Sequence, residues 1–169
     1  MRLSGLGELI PGFTPIQDHG FKVARGQVAT VEIGVEVKIL AKAMIKQIDR
    51  VIGDLTKQVE QFQRGAGSSK PICVGVVGMN HAQATTGYEG DRAFTTEGKK
   101  QKHPCQEAAE AEKRLREEAA PSYEHFLVLR YRASNVEPYP FEWVDLKNTE
   151  LDYAAILTRM SREYERRFR

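Results

Sequence analysis

What this chain lacks narrows its reading before anything it contains. Only two cysteines occur in 169 residues, Cys73 in an apolar stretch and Cys105 beside a polar loop. That number and spacing build neither a disulfide framework nor a zinc site, so a reducing, cytoplasmic setting is expected. No apolar run reaches the ~20 residues that span a bilayer. The opening MRLSGLGELIPGF also lacks the apolar core of a signal peptide, and no membrane partner is expected. The formal net charge is only +2, so a polyanion partner must be argued from where the charges sit rather than from their sum. The phosphate-cradling P-loop, a G-x-G-x-x-G after a strand, H-E-x-x-H and the G-x-S-x-G nucleophile elbow are all missing. Cysteine catalysis has no support either, because Cys73 reads as buried. Internal repeats are absent. A composition of 41% apolar and 28% charged residues is that of an ordinary globular chain, and the length suits a single domain over residues 1–169.

What is present centres on residues 28–40, VATVEIGVEVKIL. Val31, Ile33, Val35, Val37 and Ile39 alternate with Glu32, Gly34, Glu36 and Lys38, the period of a strand with one apolar and one polar face. Glu36 and Lys38 then point the same way, their Cα atoms about 6.5–7 Å apart at strand rise. A carboxylate that holds Mg²⁺ beside an ammonium that orients water and offsets phosphorane charge is the pairing metal-assisted phosphodiester hydrolysis uses. The acid-x-Lys pattern recurs at Glu97-Gly98-Lys99 and Asp145-Leu146-Lys147. The first lies in a Gly-rich loop and the second before a helix start, so only Glu36-Val37-Lys38 has a strand to display it. An ion pair on a solvated sheet face is the plainer reading of the same residues.

Around this strand the periodicities predict the order β-β-α-β-α-β-α, an α/β sandwich with a mixed sheet. Residues 1–20, rich in Gly and Pro, read as mostly irregular, and 21–40 as a β-hairpin with Asp18 just before it. Over 42–64, Ile45, Ile48, Ile52, Leu55, Val59 and Phe62 form the stripe of an amphipathic helix. Residues 71–79 read as a buried central strand and 83–106 as a long polar loop carrying Lys99, Lys100 and Lys102. A charged surface helix over 107–120 follows, with a thin stripe of Ala108, Ala111 and Leu115. Then come a strand at 125–132, a Pro-rich turn, and a last helix opened by a capping box of Thr149 and Asp152.

The order Asp18, hairpin, Glu36-Val37-Lys38, long helix and buried strand resembles the PD-(D/E)xK nuclease superfamily, over roughly residues 15–80. The resemblance implies a restriction-endonuclease-like fold, a mixed β-sheet flanked by helices, and a metal-dependent deoxyribonuclease of the restriction or repair type. It implies Asp18 and Glu36 as ligands of Mg²⁺, with Mn²⁺ as a substitute, and Lys38 as the catalytic lysine. Lys42, Lys46 and Gln47 are the polar residues available on the following helix. DNA is the implied partner, and a homodimer would let two sites meet two strands. Two departures stand out. Pro15 and Asp18 are not adjacent, and only residues 1–8, with Glu8, remain for the helix that usually precedes the hairpin. Glu32 reads as a third metal-site acid or an edge charge, and His81 as a cleft residue at a strand end or a structural histidine. His19 reads as a substrate contact or an exposed side chain. Lys99, Lys100 and Lys102 read as phosphate contacts or solvated loop lysines. A non-catalytic nucleic-acid-binding or assembly module of the same fold is the alternative function.

Overall fold

The computed structural model describes residues 13–18, 21–26, 30–89 and 92–169, with side chains over 30–87 and 92–169. Strand β3 (Ile33–Leu40) runs parallel to β4 (Ile72–Asn80), and β4 runs parallel to β7 (His125–Ala133). The short β8 (Phe141–Trp143) closes the sheet antiparallel to β7, so the order is β3-β4-β7-β8. Helix α1 (Met44–Arg64) forms the β3-to-β4 crossover, and α2 (Pro104–Arg114) lies on the β4-to-β7 crossover. Two right-handed crossovers advancing in the same direction place both helices on one face, where they touch each other. Helix α3 (Leu146–Phe168) lies against β7 and β4. The result is a mixed α/β fold with a mostly parallel sheet and three flanking helices.

Two two-stranded ribbons stand apart from that sheet. β1 (Phe13–Asp18) pairs antiparallel with β2 (Phe21–Gly26), and β5 (Thr86–Glu89) with β6 (Arg92–Thr95). Both correct the sequence expectation. Residues 21–40 do not form a hairpin. β2 turns back onto β1, inside the stretch expected to be irregular, and β3 takes its only described partner, β4, in parallel. The polar stretch 83–106 is not one loop but a hairpin followed by the start of α2, whose Pro104 occupies the first turn, where a missing N–H costs nothing. The expected helix over 107–120 begins earlier, and past Arg114 it widens into a π-helical turn (Leu115–Ala119) and a 3₁₀ turn (Ala120–Ser122). The last helix also starts a turn early, capped by Asp145 rather than Thr149. The Asp145 carboxylate accepts the Asn148 N–H at 3.0 Å.

The core lies between the sheet and the α1/α2 layer. Met44, Ile48, Val51, Leu55 and Val59 of α1 meet Leu40 of β3, Cys73, Val77 and Met79 of β4, and Ala108, Ala111, Leu115 and Ala119. This stripe is rotated from the expected one: Ile45 is 39% exposed, while Met44 and Val51 are buried. The small alanines of α2 suit its contact with α1, and the larger α1 side chains are buried in the same cluster. The Tyr123 hydroxyl donates to the Leu55 carbonyl at 2.7 Å, and burial raises the Tyr123 phenol pKa.

Because β3, β4 and β7 are in register, Gly34, Glu36, Lys38 and Leu40 share a face with Cys73, Gly75, Val77 and Met79, the face toward α1. Ile33, Val35, Val37 and Ile39 therefore point the other way, and they are 37%, 50%, 59% and 68% exposed. The polar residues of β3 thus lie under a helix and its apolar residues face outward, the reverse of a solvated polar face. Gly34 makes the helix approach possible: a Cβ there would fall 2.3 Å from Phe62 Cγ of α1. Gly34→Ala is expected to destabilise by about 1–3 kcal/mol through forced repacking. Gly53→Ala, in the same helix with nothing within 4 Å, should stabilise by about 0.5–1 kcal/mol. Urea midpoints that moved alike for the two variants would contradict this account of the β3–α1 contact.

Candidate functional site

Alternation along β3 brings Glu36 and Lys38 together, and the crossover lowers α1 onto them. Lys38 Nζ lies 3.0 Å from Glu36 Oε1 and 3.5 Å from Asp54 Oδ2 of α1. The side chains of Glu36 and Lys38 are 21% and 28% exposed, so the pair is half-covered yet open to solvent. The hydrogen bond to Glu36 raises the Lys38 pKa; burial opposes this, and the charges of Glu36 and Asp54 add to it. Lys38 is accordingly an ammonium at neutral pH: it can attract a phosphate or orient a water, but it is not poised as a base.

Asp54 is the site residue that sequence reasoning missed. It stands sixteen positions from Lys38 on a helix whose polar face carries several equivalent charges. The one signal was geometric: the middle of a crossover helix returns over the middle of the strand that precedes it. Glu36 and Asp54 both reach Lys38 Nζ, so their oxygens are no further apart than those two distances combined. Mg²⁺ is commonly held by one or two carboxylates with water and phosphate oxygens completing its shell, and this pair supplies that minimum. Among the described residues, no group of three or more His, Cys, Asp or Glu converges to hold a metal ion.

The remaining sequence-predicted residues divide. The Asp18 backbone ends β1 opposite Phe21, but its side chain lies outside the described residues, as do Glu8 and His19. Glu32 accepts the Tyr164 hydroxyl at 2.7 Å and so ties α3 to the start of β3. Gln47 donates to the Lys42 carbonyl at 2.9 Å and braces the β3–α1 turn. Lys42, Lys46, Lys100 and Lys102 converge on one cavity of about 690 Å³ beyond the C-terminal end of β3. Lys99 is exposed and does not line it. Between Lys42 and Met44, Ala43 sits at φ 48°, a left-handed conformation costing on the order of 1–2 kcal/mol outside glycine. The Met44 N–H, free at the head of α1, is taken by Glu107 Oε2 at 2.8 Å.

His81 follows β4, its N–H donating to the Tyr131 carbonyl at 2.6 Å. It does not line the lysine cavity. Its Nε2 is buried without a partner among the described residues, as is Nε2 of His125. Burial lowers the pKa of both rings, and the charge of Arg130 lowers that of His81 further. A histidine whose folded pKa is depressed binds its proton more readily in the unfolded chain. Its contribution is therefore present above the unfolded pKa of ~6.5 and is lost as pH falls below it. Urea stability is expected to drop between pH 7 and 5, and His81→Asn should remove part of that slope. One proton corresponds to at most about 1.4 kcal/mol per pH unit. An unchanged slope would remove His81 from this account.

A second cavity, of about 490 Å³, lies between β7 and α3. Two of its arginines are already paired: Arg167 with Glu124 at 2.8 Å and with Glu163 at 2.6 Å, and Arg166 with Glu163. No helix among the described residues is long and apolar enough to cross a membrane. No protein-family model, curated protein or solved structure matches the chain.

Proposed function

We propose that this chain is a metal-dependent deoxyribonuclease of restriction-endonuclease-like fold, with its chemistry at Glu36 and Lys38. The observation that carries the reading is the half-covered Glu36–Lys38–Asp54 cluster, two carboxylates around one ammonium on the edge strand of the sheet. Glu36 and Asp54 are the groups able to hold Mg²⁺ or Mn²⁺, with Asp18 a further ligand in this reading. The bound ion would supply Lewis acidity toward a phosphodiester oxygen and a more acidic water. Lys38 stays protonated, fixes the attacking water and stabilises the negative charge that gathers on the phosphoryl oxygens. Its present carboxylate contacts hold Nζ in place before substrate arrives. The partial cover of α1 limits competing water, and β3, which pairs on one side only among the described residues, leaves a path for a DNA strand in this reading. DNA hydrolysis in Mg²⁺ or Mn²⁺, abolished by EDTA, is the expected result with supercoiled and linear substrates. A purified, folded protein that cuts none of a broad DNA panel under these conditions would sink the proposal.

The second reading, a non-catalytic nucleic-acid-binding or assembly module, is favoured by the lysine-lined cavity, which needs no chemistry to hold phosphate. The two readings part on turnover alone.

A further inference from the structure

The cavity at the head of α1 has a composition its position does not require. Lys42, Lys46, Lys100 and Lys102 line it from two separate segments, against one carboxylate, Glu107. That carboxylate is already accepting the Met44 N–H at 2.8 Å. None of the four lysines has an ion-pair partner among the described residues. All four are exposed, so the cavity presents a net excess of positive charge to solvent, the sign that draws in an anion.

A second, independent observation points the same way. Thr85, also on the cavity wall, is 5% exposed, and its Oγ1 has no hydrogen-bond partner among the described residues. Buried hydroxyls are nearly always satisfied, so this one calls for a missing partner. Its neighbour Thr96 is fully used: Oγ1 accepts the Thr85 N–H at 3.0 Å and contacts His103 Nδ1 at 2.9 Å. On the same wall Phe94 covers Gly87, where a Cβ would come within 2.8 Å of the ring. A volume of about 690 Å³ is within the range of small-ligand sites, and the lining, one aromatic ring beside lysines and threonines, is far more polar than most and suits an anionic ligand.

We propose that this cavity binds the terminal phosphate of a nucleotide, its phosphate oxygens among the four lysines and its base against Phe94, with the buried Thr85 Oγ1 gaining its partner as the side chain turns toward the phosphate. A phosphodiester brings one negative charge. A terminal phosphate brings about −1.5 to −2 at neutral pH, and a di- or triphosphate more, which suits an excess of three positive charges better. The same group occurs on free nucleotides and at the 5′ end of a DNA strand. The site is distinct in residues from Glu36, Lys38 and Asp54, and it does not rest on the nuclease reading.

The test is titration of the 169-residue chain in EDTA, which silences metal-dependent cleavage and so separates this proposal from the nuclease reading. The probes are AMP, ADP, ATP, adenosine, and one short oligonucleotide with and without a 5′-phosphate. Binding is expected to rise from AMP to ATP, to be lost with adenosine, and to weaken with salt. Removing two charges in Lys46→Met/Lys100→Met should weaken ATP binding by about tenfold or more. Thr85→Val keeps the shape and removes only the unpaired hydroxyl. It should weaken binding several-fold while leaving the unliganded protein at least as stable. A preference for the 5′-phosphorylated oligonucleotide over its dephosphorylated twin would assign the site to strand ends. Preference for ATP over both would assign it to free nucleotides. Absence of binding at millimolar nucleotide would overturn the proposal. So would binding unchanged in both variants, or oligonucleotide binding indifferent to the end group with no nucleotide binding.

Discussion

Glu36→Gln and Lys38→Ala are expected to reduce DNA cleavage by roughly 10²- to 10⁴-fold while leaving the fold intact. Glu36→Gln keeps the volume and one acceptor oxygen of the carboxylate but removes the charge a divalent ion needs. Lys38→Ala removes the ammonium that meets charge on the phosphate. Both side chains are about a quarter exposed, at 21% and 28%, so neither change opens a core cavity. The effect should fall on turnover: DNA binding measured in Ca²⁺ should persist in both variants. Asp54→Asn supplies the structural check. If Asp54 is a second ligand, its loss should cut the rate and raise the Mn²⁺ or Mg²⁺ concentration needed. If it only steadies Lys38, the metal requirement should not move. Cleavage at wild-type rates in either Glu36→Gln or Lys38→Ala would remove this cluster from the chemistry.

Leu55→Ala is expected to have the largest effect on stability. Leu55 is fully buried at 0% exposure, at the centre of the stripe that packs α1 on the sheet. Truncation removes its transfer energy and leaves a cavity lined by side chains already held by their own packing. The expected loss is about 3–5 kcal/mol, a large share of the ~5–15 kcal/mol by which a domain of this kind is stable. Because α1 also carries Asp54 over Lys38, a Leu55→Ala protein that still folds should show reduced activity. A urea midpoint shifted by less than the equivalent of about 1 kcal/mol would mean that α1 is not the main cover of the sheet.

The parts of the fold legible in the sequence were those where one face is buried against one neighbour. The helix over 42–64, the apolar strand at 71–79 and the strand at 125–132 all recur within a residue or two, because burial imposes its period directly on the side chains. The phase of the α1 stripe was less legible. Ile45 and Met44 are both apolar, and only the surface beneath the helix selects Met44. The sequence reads as loop over Thr86–Glu89 and Arg92–Thr95 because strands of four residues are too short to impose a clear period.

The sequence by itself determined that Glu36 and Lys38 share a face of β3, since side chains on a strand alternate whatever surrounds them. It also determined the amphipathic helix that follows and the chemistry those two residues offer. Which way that face points was decided only by the tertiary structure. Alternation is symmetric between the two sides of a strand, and the parallel register with β4 and the gap at Gly34 under Phe62 turned the polar side toward α1. Tertiary structure alone also brought Asp54 to Lys38, and Lys42 and Lys46 to Lys100 and Lys102. Such contacts join segments far apart in the chain, and no local periodicity encodes which of several surface charges a crossover will bring together.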